Sequence, residues 1–113
     1  MMARIRTIKP ELAFDEELAR LSLEAQKFFI LLWTHCDREG RVDDFPTKLR
    51  ALIFPYHPDT DAEAILAELS PKFVVRYSSG GKKNLQVRTY MEHQRTNNKE
   101  GPTKIPAPSK NDL

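Results

Sequence analysis

A chain of 113 residues, 40% hydrophobic and 30% charged, has room for one domain with a single core, and it is too apolar for a disordered polar chain. The longest apolar run, Phe28 to Trp33, is far short of the roughly 20 residues that span a bilayer, and the basic N-terminus leads into no apolar signal core. Neither export nor a membrane partner is therefore expected. Cys36 is the single cysteine, which excludes an internal disulfide and agrees with a reducing cytosol. The formal net charge of +2 conceals a division along the chain. Residues 1–71 hold nine Lys/Arg against thirteen Asp/Glu, a balance of −4, whereas residues 72–113 hold nine against three, a balance of +6. Such asymmetry points to an anionic partner, nucleic acid before a membrane surface.

Ile5 to Ile8 alternates apolar and polar residues and stops at Pro10, which suits a short strand or an extended arm. Proline near the start, acids at Glu11, Asp15, Glu16 and Glu17, and Arg20 near the end predict a short helix over about 15–21. Ser22 is the natural N-cap of the strongest helix, whose residues Ala25, Phe28, Phe29, Leu32, Trp33 and Cys36 recur at spacings of three and four. Ile30 and Leu31 widen that stripe, so this is the expected central core helix.

Gly40 suits the left-handed position that closes a helix, and Arg41 and Val42 leave space for a very short strand. Asp43 or Asp44 can cap a next helix that Pro46 begins and Pro55 stops, with Leu49, Leu52 and Ile53 on its apolar face. Asp59 or Thr60 caps a further helix, about 60–69, in which Ala62, Ile65, Leu66 and Leu69 share one side. After Pro71 the period changes to that of strands. "FVVRY" and "NLQVRTY" read as a hairpin joined by a six-residue loop "SSGGKK", with Lys82 and Lys83 at its tip. From about residue 96 the prolines and the scarcity of apolar residues predict a flexible tail, so the division is a folded domain over 1–95 and a tail over 96–113.

A two-residue strand is not stable alone, so Arg41 and Val42 are expected to pair with the hairpin in a small three-stranded antiparallel sheet. The expected fold class is α+β, mainly α, a winged helix-turn-helix. The blocks "ARIRTIKPEL", "LSLEAQKFFILLWTHCDREGRV", "IFPY" and "YMEHQR…KIPAPS" resemble the N-terminal winged-helix domain of bacteriophage replication proteins of the replisome-organiser and primosomal type. The resemblance spans roughly residues 3–109. It implies a DNA-binding module in the cytoplasm of a bacterial host, acting in origin recognition or in recruiting replication proteins.

His35, Cys36, Asp37, Asp43 and His57 have no spacing that places metal ligands together on one element. Nor do a nucleophile, a base and an orienting acid occur in a recognisable arrangement, and no glycine-rich phosphate loop is present. Binding rather than catalysis is expected, with no cofactor and no metal. In helix-turn-helix folds the second helix of the motif usually enters the major groove. Here that helix carries Asp61, Glu63 and Glu68 and no basic residue, so acids would face phosphates. The expected DNA contacts therefore lie on the hairpin (Arg76, Lys82, Lys83, Arg88), the segment after it (His93, Arg95, Lys99) and the N-terminal arm (Arg4, Arg6, Lys9). Duplex DNA is favoured over single strands. The alternative is a protein-interaction or self-assembling module, possible as a homo-oligomer, whose acidic helix binds a protein.

Overall fold

The computed structural model describes residues 3–90, 94 and 100–113. Among them four helices, α1 (Glu16–Ala19), α2 (Leu23–Leu32), α3 (Pro46–Ile53) and α4 (Ala62–Leu69), pack with a three-stranded antiparallel sheet of β1 (Arg41–Asp43), β2 (Val74–Ser79) and β3 (Lys82–Val87). The strand order is β1-β3-β2. Residues 3–9 form an arm without a strand, and a 3-10 turn over Pro10–Phe14 leads into α1. Asp15 caps α1 by accepting from the backbone N–H groups of Glu17 and Leu18.

Ser22 Oγ accepts from the Ala25 N–H at 3.1 Å and so caps α2 as its sequence predicts. A second layer comes from far along the chain. The Glu68 carboxylate of α4 accepts from the Ser22 N–H at 2.6 Å and from its hydroxyl at 3.1 Å, adding negative charge where the helix dipole favours it. Ala25, Phe28, Phe29 and Leu32 are the buried residues of α2. They meet Leu49 and Ile53 of α3, Ile65, Leu66 and Leu69 of α4, and Val42, Val74, Leu85 and Val87 of the sheet in one core.

The α-helix stops at Leu32 and tightens into a 3-10 turn over Trp33–His35. Gly40 therefore does not close the helix. It lies in the turn before β1, donates from its N–H to the Asp37 carbonyl at 3.0 Å, and has φ +78°. A Cβ there would stand 2.4 Å from Tyr90 Cγ. Gly40→Ala is expected to destabilise the fold by about 2 kcal/mol or more, from left-handed backbone strain together with displacement of a buried ring. Urea unfolding measures this, and a loss below about 0.5 kcal/mol would mean that Tyr90 moves aside freely.

Asp37 organises the approach to β1. Its Oδ1 accepts from the Glu39 and Arg41 N–H groups at 2.9 and 3.0 Å, and its own N–H donates to the Arg41 carbonyl at 2.9 Å. Asp44 does not cap α3. The N-cap is Phe45, which makes no side-chain cap bond, and Pro46 occupies the first turn, where a missing N–H costs nothing. Asp44 is instead held by Arg76, as described below. For α4 the cap is Asp61, accepting from the Ala64 N–H, rather than the expected Asp59 or Thr60.

Arg41 and Val42 pair with the hairpin as expected, opposite Gln86 and Leu85 of β3. The hairpin loop is shorter than predicted. Ser79 pairs with Lys82, which leaves only Gly80 and Gly81 in the turn, with φ +60° and +80°. Positive φ at both central positions matches the right-handed twist of the flanking strands, so pairing extends through Ser78, Ser79, Lys82 and Lys83.

The sheet is buried on both faces. Val42, Val74, Leu85 and Val87 turn to the helices, while Val75 and Tyr77 alternate to the other face and are also buried. Within the segment predicted as a flexible tail, residues 103–106 bond to that outer face and to the turn before β1. Pro106 O accepts from Tyr77 Oη at 2.6 Å, Ile105 O accepts from Arg41 Nη1 at 3.0 Å, and the Thr103 hydroxyl bonds the Asp37 carboxylate. No helix among the described residues is long and apolar enough to cross a membrane.

Candidate nucleic-acid interface

The basic side chains singled out by sequence separate into exposed ones and ones committed to the fold. Lys82 and Lys83 open β3 directly after the Gly80-Gly81 turn, and both are exposed. Arg88 follows the other end of β3, roughly 20 Å away at the rise of an extended chain. It is half-buried, and its Nε donates to the Pro71 carbonyl at 2.7 Å. The hairpin therefore carries two basic positions at opposite ends rather than one continuous patch.

Arg76 lies between them, opposite Leu85 on the helix-facing side of the sheet. Its Nε donates to Asp44 Oδ2 at 2.8 Å and its Nη2 to Glu63 Oε2 at 2.7 Å, with further bonds to the other oxygen of each carboxylate. The bonds to Glu63, then those to Asp44, raise the guanidinium pKa further above its already high value. In return Arg76 holds the Glu63 carboxyl below the usual range. This arginine ties β2 to α4 and to the start of α3.

Arg6 is committed more deeply. Its guanidinium donates to both Glu100 oxygens at 2.8 and 2.9 Å, to the Trp33 carbonyl at 3.2 Å and to the Cys36 carbonyl at 2.9 Å. It also lies 5.6 Å from the centre of the Tyr90 ring, within cation–π range. Its side chain is 2% exposed and that of Glu100 is 7% exposed. Arg4 is more open at 38%, with Nε 3.6 Å from Glu100. Lys9 is exposed on the same arm. His93, Arg95 and Lys99 lie outside the described residues.

The acids of α4 each have an internal task. Asp61 caps the helix, Glu63 holds Arg76, and Glu68 covers the start of α2. The outward side of α4 is centred on exposed Ala64 and Ala67. The long-range partnerships have no local sequence signal: Arg6 and Glu100 are 94 residues apart and Ser22 and Glu68 are 46 apart.

His35 and Cys36 stand at the end of the long helix, where burial lowers the imidazole pKa and pushes the thiol well up. A protonated thiol is a poor nucleophile and a poor metal ligand. Among the described residues no three His, Cys, Asp or Glu side chains gather as metal ligands would. Comparison with protein-family models, with characterised proteins and with solved structures finds no match to this chain.

Proposed function

We propose that the chain is a winged-helix DNA-binding module of phage or prophage type, serving replication initiation and gripping phosphates mainly through its β-hairpin. The observation that carries the reading is the order α2, β1, α3, α4, hairpin, with β1 in antiparallel register on β3 and two exposed lysines beside the hairpin turn. In this reading α2 begins the motif, α4 occupies the position of the recognition helix and β2–β3 is the wing. The acidic character of α4 weighs less against DNA than composition suggests, because Glu63 and Glu68 are paired within the protein and alanines centre the outward face.

Arg6 and Arg76 drop out of the proposed contact set, since recruiting either would break an internal ion pair. Lys82 and Lys83 lead it, with Arg4 as a flanking contact, while Arg88 lies at the far end of the hairpin and is bonded to the Pro71 carbonyl. Such an interface positions the protein on the backbone and reads little sequence, so binding is strongly weakened by salt. Titration of random-sequence duplex and single-stranded DNA at low and moderate salt tests the proposal. Duplex binding that falls steeply with salt is expected. Absence of binding to both at low salt would leave the protein-interaction alternative.

A further inference from the structure

A groove of about 810 Å³ runs between the N-terminal arm and the end of β3, a size at which ligands and docked side chains are held. Its apolar lining is Leu12, Phe29, Trp33, Phe73, Val87 and Tyr90. Trp33 is 7% exposed, and among the described residues its buried indole N–H has no hydrogen-bond acceptor.

The arm that walls this groove also exposes its own large apolar side chains, Ile5 at 98%, Ile8 at 58% and Phe14 at 84%. A small molecule filling the groove would leave those three in water. Only a macromolecular partner covers both the hollow and the protrusions beside it. The rim is also mixed in charge, with Glu11 on the arm and Arg88 beyond β3. A surface that offers a hollow and a protrusion, a cation and an anion, is complementary to itself, as a two-fold interface requires.

We infer that this face joins two copies of the chain about a two-fold axis, apolar side chains of one arm entering the groove of the other. Glu11 of each copy meets Arg88 of its partner. The pairing is independent of DNA and extends the proposed function by placing two hairpins on one particle.

Sedimentation or light scattering without DNA, over a rising protein concentration, should show the mass double. Because Trp33 is the single tryptophan, its emission should change over the same concentration range. Phe14→Asp, at an exposed position, should keep the circular dichroism of the parent and remain monomeric. Glu11→Arg and Arg88→Glu should each weaken pairing about tenfold or more by placing like charges opposite. An equimolar mixture of those two variants should pair again, because every contact across the axis is then between opposite charges. A chain that stays monomeric at the highest concentration overturns the inference. So does a dimer whose Trp33 emission is constant and whose mass is unaffected by Phe14→Asp, or a mixture that fails to recover. DNA titration is a separate measurement, so failure of either proposal leaves the other standing.

Discussion

Arg6→Met is expected to lower the stability of the fold by about 3–5 kcal/mol, the range for removing one partner of a buried ion pair. The midpoint of thermal unfolding should drop by roughly 15 °C for a domain of this size. The loss has two sources. Glu100, 7% exposed, keeps a charge met only by the more open Arg4 at 3.6 Å, and the carbonyls of Trp33 and Cys36, just past α2, each lose a guanidinium donor. Glu100→Gln should cost less, because an amide of the same shape still accepts from Arg6 while the ionic part is lost. Replacing both residues by apolar ones should cost less than the sum of the single changes, which a double-mutant cycle in urea measures.

Acid should act on the same pair. Hydrogen bonding from Arg6 holds the folded Glu100 carboxyl below the usual carboxylate range. The stabilisation from this pair is therefore complete above the unfolded carboxylate pKa and is lost as pH falls through the lower folded value. The wild-type chain should lose stability over that acidic window, and Glu100→Gln should flatten this part of the profile. Equal acid sensitivity in the two chains would assign the dependence to other carboxylates, with Glu63 beside Arg76 the next candidate.

The second large effect concerns binding. Lys82→Ala together with Lys83→Ala should reduce duplex affinity by about ten- to a hundredfold at low salt and lessen the salt slope by about one to two, since each phosphate neutralised contributes nearly one unit. Stability should change little, because both side chains are exposed and at the end of the hairpin. Arg76→Ala makes the informative contrast. It should destabilise the fold by releasing Asp44 and Glu63, whereas loss of salt slope should belong to the lysines. If the lysine variant keeps the parental slope, the hairpin tip is not where phosphate is held.

Much of the architecture was legible in sequence because it follows from short-range regularities. The three- and four-residue recurrence of Ala25, Phe28, Phe29 and Leu32, the Ser22 cap, the helix over Ala62–Leu69 and the change of period after Pro71 are each set within a dozen residues. The pairing of Arg41 and Val42 with the hairpin was also foreseeable, since so short a strand has no stability by itself. Local rules erred where two of them competed. Gly40 satisfied the rule for a helix end, yet the left-handed turn before β1 and the ring of Tyr90 are what require it. Asp44 satisfied the rule for a cap, yet Arg76 from another strand bonds its carboxylate.

The sequence by itself determined the kinds of elements, their order and the basic bias of the C-terminal part. Only the tertiary structure decided which of those charges face water. A cation and its counter-ion can be almost the whole chain apart, as Arg6 and Glu100 are, and no periodicity connects them. The same holds for Ile105 and Pro106, whose surroundings in sequence predict a loose tail but whose carbonyls accept from Arg41 and Tyr77 of the sheet. Composition measures how much apolar surface a segment brings to a contact; it does not reveal that a buried surface elsewhere in the chain is waiting to be covered.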